Sequence, residues 1–579
     1  MSLKQVEQAI NELGDKPILK GFIECSDVFA QSPSGIVKLK ELILKLAIEG
    51  KLNTSSNNDK DAKDILDKIR STYSEWSHLK KSPQYDAVQD NDAHFSKPKK
   101  WSFVRLGEII SISSGDGLTK SKMEDGNVPV YGGNGITGFH SCGNVSEETL
   151  VIGRVGYYCG SVHLTENTAW ITDNAFITRY PKKYIYLPFL VWLLKATDLQ
   201  KNESSTAQPV ISGRKVYPII VGLPPIEEQK RIVAKVDELM ALCDQLETQQ
   251  QQQANTLLKA NTAAIQALLS SENSKDDQKN NWQRLADNFH TLYGNTLPMP
   301  PGEGRQKKYL VGLENVKQLR NVILQLAVTG KLVAQDSKER PAFDLIQSIE
   351  QTKQNLIKEK VINRQSIFPA IPEKDEPFAL PEGWSFVRLG QITNRIGSGS
   401  TPRGGKNAYV ESGIPFLRSQ NVWNDDLKLD DVAYIPDETH EKMTNTKVFP
   451  RDILLNITGA SLGRCALLPD DFDEANVSQH VTIIRPTEPE TRQYLHLCML
   501  SPHTQNMVWG RQVGMAREGL SKKVLEQFEI PLPPLEEQKR IVAKVTALMS
   551  LCEKLEQQLT LSYDQAEKLI TATTKALVA

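Results

Sequence analysis

The chain is poor in the features that would make it secreted, membrane-bound or strongly basic. Its seven cysteines (Cys25, Cys142, Cys159, Cys243, Cys465, Cys498 and Cys552) are odd in number and scattered, with no Cys-x-x-Cys pair. That pattern excludes a disulfide framework and fits free thiols in a reducing compartment. No apolar run approaches the roughly 18 residues that span a bilayer, and the opening Met1-Ser-Leu-Lys-Gln5 leads into no apolar signal region. A cytoplasmic location is expected. Excess positive charge is also missing, with 69 Lys and Arg against 70 Asp and Glu and a net charge of -1. This argues against a binder that grips nucleic acid regardless of sequence, so any such surface must be local or shared with partners.

At 579 residues the chain exceeds the roughly 250 to 300 at which a single core stops growing, so at least two globular units are expected. What organises it is an internal repeat. Trp101-Ser-Phe-Val-Arg-Leu-Gly107 returns letter for letter as Trp384-Ser-Phe-Val-Arg-Leu-Gly390, 283 residues later. Leu223-Pro-Pro-Ile-Glu-Glu-Gln-Lys-Arg-Ile-Val-Ala-Lys-Val236 returns as Leu532-Pro-Pro-Leu-Glu-Glu-Gln-Lys-Arg-Ile-Val-Ala-Lys-Val545, offset by 309, so the second intervening segment is 26 residues longer. Leu39 to Leu52 matches Leu319 to Leu332, each ending Gly-Lys-Leu, at an offset of 280. The Gly-Lys-Leu block opens the chain and the Pro-Pro block closes it, while in the middle the second precedes the first. The order is that of a ring of two equal halves cut once. It predicts neighbouring termini and a pseudo-two-fold relation between the halves.

The Pro-Pro-x-Glu-Glu blocks read as helix starts, with proline fixing the lead-in and acids complementing the dipole in the first turn. From there Ile232, Val236, Leu239, Cys243 and Leu246 continue in steps of four and three through Gln250, Gln253, Leu257, Ala260, Ala264 and Ala267. The second copy runs Ile541, Val545, Leu548, Cys552 and Leu555, then Leu559, Ser562, Ala566 and Leu569. This is the 3.5-residue period of a coiled-coil seam, and the two helices are expected to pair antiparallel. A plain dimerisation coil has the same signature. From Ile226 to about Ser270 such a helix spans roughly 68 Å, about 20 base steps of a duplex.

Segments 101–222 and 384–531 differ in texture, with short apolar runs broken by Gly, Asn and Ser, as in Val128 to Gly138 and Ile414 to Val422. They read as β-rich domains with some helix, Phe189 to Leu194 and Tyr494 to Leu500 being matched helices. The fold class expected is α+β: two β-rich mixed domains joined by two long helices. The domains follow as an N-terminal helical region and linker (1–100), a first β-rich domain (101–222), a central helical region (223–332), a helix and linker (333–383), a second β-rich domain (384–531) and a C-terminal long helix (532–579).

Catalytic and metal patterns are not found. No Asn- or Asp-Pro-Pro-aromatic tetrapeptide of an adenine amino-methyltransferase occurs. Gly397 to Lys406 misses phosphate-loop spacing by one residue and has Asn407 in place of the hydroxyl. Asp437, Glu438, Glu441 and Lys442 lack nuclease spacing and read as a solvated loop. His140 near Cys142, and His496 near Cys498 and His503, make no four-ligand set. No catalytic or metal residue is therefore assigned.

Leu380-Pro-Glu-Gly-Trp384, the two Leu-Pro-Pro-Ile/Leu-Glu-Glu-Gln-Lys-Arg-Ile-Val exits, Tyr131-Gly-Gly-Asn-Gly135 and Gly399-Ser-Thr-Pro402 together resemble type I restriction-modification specificity subunits over essentially the whole chain. The first lead-in departs from that pattern, with Lys97-Pro-Lys-Lys-Trp101 placing Lys100 where the second copy has Gly383. The resemblance implies a non-catalytic subunit whose two target recognition domains read the halves of an asymmetric, interrupted DNA site. It also implies two methyltransferase partners using S-adenosylmethionine for N6-adenine methylation, and endonuclease-translocase partners using ATP and Mg, with no cofactor in this chain and no membrane partner. Candidate base readers in polar, Gly-flanked loops are Lys120, Lys122, Asn134, Arg154 and Gln208 in the first domain. In the second they are Arg403, Lys406, Arg418, Gln420, Arg511 and Arg517. Arg suits guanine, Asn and Gln suit adenine, and the bland reading of each is a solvated loop residue. The remaining alternatives are a tandem DNA-binding scaffold outside restriction-modification and a coiled-coil interaction protein.

Overall fold

The computed structural model describes residues 29, 32, 34–52, 54–79, 85–86, 88–156, 158–200, 210–269, 283–299, 310–364, 367–424, 426–511 and 519–578. The chain forms two compact units. Unit 1 takes Met1–Thr256, Thr296–Leu310 and Leu561–Ala579; unit 2 takes Leu257–Asn295 and Val311–Thr560. Gln208, Arg517, Cys25 and the side chain of Lys406 lie outside the described residues. Among the described residues no helix is long and apolar enough to cross a membrane.

In unit 1, helix α1 (Gly35–Ile48) and α2 (Ala62–Ser71) precede strand β1 (Ser102–Arg105). Strands β2 (Ser111–Ser114), β3 (Val128–Gly132), β4 (Gly135–His140), β5 (Leu150–Gly153), β6 (Val162–Leu164), β7 (Trp170–Ile171) and β8 (Ala175–Arg179) follow. Then come α3 (Leu187–Ala196), β9 (Ile220–Leu223) and the long helix α4 (Ile226–Leu269). The strands make a four-stranded sheet ordered β2-β8-β5-β6, a three-stranded sheet ordered β4-β3-β7 in which β3 and β7 run parallel, and the antiparallel pair β1-β9.

Unit 2 holds α5 (Val311–Val328), α6 (Ala342–Lys358), β10 (Ser385–Arg388), β11 (Thr393–Ser398), β12 (Ile414–Leu417), β13 (Val422–Trp423), β14 (Asp426–Leu427) and β15 (Ala433–Ile435). It continues through β16 (Lys447–Val448), β17 (Ile453–Asn456), β18 (Cys465–Leu467), β19 (Ala475–Val477), β20 (Val481–Pro486), α7 (Arg492–Leu500), α8 (Pro502–Gly510), β21 (Glu529–Leu532) and α9 (Leu535–Val578). Its sheets are ordered β11-β20-β17-β18 and β15-β12-β19-β16, with β12 and β19 parallel, and β10 pairs β21. The two β-rich segments, which share little sequence, therefore have one topology. The second adds the hairpin β13-β14 and the strand β16.

The three repeated sequence blocks meet in space. Strand β1 from the Trp block pairs with β9, which leads into the Pro-Pro block, and Trp101 Nε1 donates to Glu228 Oε2 at 3.0 Å in the first turn of α4. Trp384 donates to Glu537 at the same 3.0 Å. The third block ends each preceding helix: Gly50 (φ 69°) and Gly330 (φ 70°) take the left-handed conformation that a β-carbon disfavours. The amide of Lys51 then reaches back to Leu46 O and that of Lys331 to Leu326 O. A β-carbon at either glycine would stand 2.4 or 2.3 Å from Cγ of Pro98 or Pro381, beside the clasped tryptophan. Each repeated block is thus one part of a single clasp.

Lys100 keeps the turn that glycine makes in the second copy, with φ 66° against 84° at Gly383. Its ammonium offsets the strain by donating to the carbonyls of Ser56, Asn57 and Asp59 at 3.1, 2.7 and 2.7 Å.

In the core of unit 1, Ile232, Val236, Leu239 and Cys243 of α4 pack with Leu39, Leu42, Ile43 and Leu46 of α1 and with Leu190, Leu193 and Leu194 of α3. Each such side chain taken from water contributes about 1.5 to 3 kcal/mol. Leu246 packs at the margin. Ile570 of α9 completes this core, and Glu567 accepts from the hydroxyls of Ser32 and Ser34, so the last turns of the chain lie beside its first described residues, as the block order predicts. In unit 2, Ile541, Val545 and Cys552 are buried with Ile323 and Ala327 of α5, and Leu548 and Leu555 pack against them.

The buried stripe departs from the expected seam at equivalent places. After Gln250 it runs through Ala254, Asn261 and Leu268 rather than Gln253, Ala260 and Ala267; after Leu559 it runs through Tyr563 and Ile570 rather than Ser562 and Leu569. Leu569 is exposed. One step of four shifts the stripe in each helix, a stutter that a strict 3.5-residue period cannot represent. In both helices the shift lies within a few residues of the passage from one unit to the other.

Candidate nucleic-acid interface

Strand directions place the variable loops of each domain at one end of its four-stranded sheet, because β2 leaves the helical end at Ser111 and β8 returns to it at Arg179. At the loop end the two domains align residue by residue. Thr172 N donates to Tyr131 O and Ser478 N to Leu417 O, following the parallel pairings Tyr131 with Ile171 and Leu417 with Val477. Arg154 N donates to Asn174 O and Ile457 N to His480 O, and the amides of Ile211 and Leu520 close the same bridge. Gly115 and Gly399 are both needed, since a β-carbon would stand 2.3 Å from Ile171 O or 1.8 Å from Val477 O.

In the first domain a cavity of about 410 Å³ opens at this end, lined among others by Lys120, Gly133, Asn134, Tyr158 and Asn174. Lys120 and Lys122 form an exposed 3-10 turn, and Asn134 projects from the β3-β4 turn. Left-handed backbone is used at Gly135 (φ 88°), whereas Gly133 is small because a β-carbon would meet Val155 O at 2.6 Å. Arg154 is half-buried: Nη1 donates to Ser114 Oγ and Asp173 O at 3.3 Å, and the guanidinium lies 5.5 Å from the Phe176 ring centroid.

In the second domain Arg403 is exposed. Arg418 and Gln420 converge on Asp431, Arg418 Nη2 reaching its carbonyl at 3.0 Å and Gln420 Nε2 its carboxylate at 2.6 Å. Arg511 belongs to a different place, where its Nη2 pairs with Glu529 at 2.8 Å beside Arg388. Burial pushes the Glu529 carboxyl up, but the Arg511 hydrogen bond, a backbone hydrogen bond and the charges of Arg511 and Arg388 together hold the group below its usual range. The structure thus gathers Lys120 with Asn134, and Arg418 with Gln420 around Asp431, while Arg154 bonds Ser114 and Asp173 and Arg511 pairs with Glu529.

Sequence reading missed Tyr158, 56% exposed on the first cavity, and Trp423 in the β13-β14 hairpin. Lys428 Nζ and Arg464 Cζ lie 3.8 and 3.7 Å from the centroid of the Trp423 ring, distances at which two cations fit only on opposite faces. An aromatic inside the 26-residue excess was the available signal. Asp437, Glu438, Glu441 and Lys442 lie on a helix rather than a loop, where Lys442 pairs with Glu438 and Lys447 with Glu441. His140 accepts from Glu124 N, His496 bonds Cys465 O and His503 bonds Glu529 O. Among the described residues no group of three His, Cys, Asp or Glu side chains could hold a metal ion.

A family model described as the type I restriction modification DNA specificity domain matches residues 98–256 and 381–561, each match running from a Trp-block lead-in into a long helix. The EcoAI specificity subunit from Escherichia coli is 26% identical over 556 residues, covering 90% of both chains. The EcoEI specificity subunit from the same organism is 25% identical over 568 residues, covering 91% of both. The solved HsdS subunit from Thermoanaerobacter tengcongensis aligns over 84% of this chain and 98% of that one at 16% identity, with a TM-score of 0.33, too low to carry an argument. With its two matched segments spanning more than half of its length, the chain belongs to the type I restriction-modification DNA specificity family, as a non-catalytic recognition subunit.

Proposed function

We propose that the chain reads an asymmetric, two-part DNA site, one half through the loop end of each β-rich domain. The observation that carries this reading is the pairing of one topology with two different sets of loop side chains. A shared frame presents both readers in the same way, and unlike side chains on it select unlike bases. Helices α4 and α9, each 44 residues and so about 66 Å long, pair antiparallel as a coiled coil, hold the two readers apart and set the gap between half-sites.

The helical parts dock two methyltransferase subunits, which bring S-adenosylmethionine for N6-adenine methylation. Endonuclease-translocase subunits with ATP and Mg complete the restriction complex in the cytoplasm. A net charge of -1 fits this division, because partner subunits then supply much of the phosphate clamp and this chain the base contacts. The test is co-expression with the methyltransferase partner followed by mapping of N6-methyladenine. A single interrupted, asymmetric motif that vanishes when this chain is omitted is expected; methylation independent of the chain would refute the reading.

A further inference from the structure

The β3-β4 turn and the β12-β13 turn hold the same place in their domains, one residue register linking Tyr131 with Leu417. Counting on from that pair sets Gly132 beside Arg418, Gly133 beside Ser419 and Asn134 beside Gln420. The flanking residues have nothing in common, yet this position bears an exposed carboxamide in both domains. The carbonyl just before it is tied down in both: Ser161 Oγ donates to Gly133 O at 2.9 Å, and Asn456 Nδ2 donates to Ser419 O at 2.8 Å. Two unrelated side chains thus hold the same backbone atom, which is what a turn presenting one side chain in a fixed place requires.

We propose that Asn134 and Gln420 are the matched adenine readers of the two half-sites, with Asp431 as the positioning residue for Gln420. This inference rests on the DNA-reading role proposed above. A carboxamide meets the major-groove edge of adenine with its oxygen accepting from N6 and one N–H donating to N7. Gln420 gives one amide N–H to the Asp431 carboxylate at 2.6 Å, leaving its oxygen and its second N–H for that edge. The carboxylate also decides which end of the amide faces outward, because only the nitrogen can donate to it. Asp431 is itself held in place, its carbonyl accepting from Arg418 at 3.0 Å and from Asn421 at 3.3 Å.

The experiment is methylome mapping with the full chain in complex with its methyltransferase partner, comparing wild type with Asn134→Ala, Gln420→Ala, Gln420→Glu combined with Asp431→Asn, and Asp431→Ala. Each alanine variant at an amide is expected to make one A·T pair degenerate in one half of the motif, losing roughly ten- to hundredfold discrimination there, with the other half intact. Asn134→Ala and Gln420→Ala should affect opposite halves. Gln420→Glu, made together with Asp431→Asn so that the new carboxylate keeps a hydrogen-bond donor in place of a repelling carboxylate, only accepts, so the preference should move from adenine toward cytosine, a readout that misfolding cannot imitate. Asp431→Ala should relax the same position as Gln420→Ala, to a lesser degree. An unchanged motif in both alanine variants, or degeneracy at a G·C pair, would overturn the assignment while leaving the two-part reading standing. Absence of any chain-dependent motif in the wild type would overturn both.

Discussion

The two β-rich domains solve the same structural problems with different residues, and the differences show what the frame needs and what it leaves free. Both close a Trp–Glu clasp, and both put a polar group on a buried carbonyl in the short helix after the Trp block. In unit 1 that group is Tyr73, whose hydroxyl donates to Gly107 O at 3.3 Å; in unit 2 it is Lys353, whose ammonium donates to Gly390 O at 2.7 Å and Gln391 O at 3.1 Å. An arginine on each long helix pairs with an acid of the preceding helical region, Arg231 with Asp59 and Arg540 with Glu339, at 2.6 and 2.8 Å. The frame demands a donor or a counter-charge at a place; it is indifferent to which side chain supplies it.

The hardest way to break the comparison is at the glycines that both domains share. Gly115→Val and Gly399→Val each force a β-carbon into a backbone carbonyl, so each should destabilise its own unit at or beyond the upper end of the ~1 to 3 kcal/mol usual for overpacking. Thermal unfolding of the two variants measures this, and a tolerated valine at either site would show that the loop ends are not equivalent.

A second test sets the two domains against each other with pH. Burial lowers the Lys353 ammonium to about 8, so the folded state holds fewer protons than the unfolded one between about 8 and the usual 10.5. That contribution is complete above 10.5 and is lost as pH falls through 8, which makes unit 2 gain stability across the window. Burial raises the Tyr73 phenol to about 12, so its contribution is complete below pH 10 and is lost as pH rises through 12. Chemical denaturation of wild type from pH 8 to 10 should show the first slope, and Lys353→Met should flatten it. A Tyr73→Phe variant should remove the loss above pH 10 and leave the Lys353 window untouched.

The smallest effect is expected at the two lead-in turns. Gly383→Ala introduces a β-carbon at φ 84° and should cost about 1 to 2 kcal/mol. Lys100→Gly removes a comparable strain but also the three carbonyl contacts, so the net change should stay within about 1 kcal/mol. A clear gain in stability for Lys100→Gly would mean that the lysine cradle contributes nothing.

Much of this architecture was legible from the amino-acid order. The three repeated blocks, the helix starts after Pro224-Pro225 and Pro533-Pro534, and the first seam positions Ile232 to Cys243 follow from local rules of proline, dipole and period that need no tertiary information. The seam failed beyond Gln250 and Leu559 because the neighbours of each helix change there, and periodicity alone carries no record of a change of partner. The candidate readers were legible only as a class. Loop position and side-chain chemistry nominated Arg154 and Arg511 as readily as Asn134 and Gln420, and only the folded chain shows Arg154 bonded to Ser114, Arg511 paired with Glu529, and Asn134 and Gln420 at one place in their domains.

By itself, then, the order of residues determined the duplication, the cut-ring arrangement and the family, because these rest on identities that survive in linear form. The tertiary structure decided that two dissimilar segments share one sheet order and that an asparagine and a glutamine 286 positions apart occupy one place. Strand pairing fixes position through backbone hydrogen bonds, which almost any side chain permits, so that equivalence leaves no trace in the sequence.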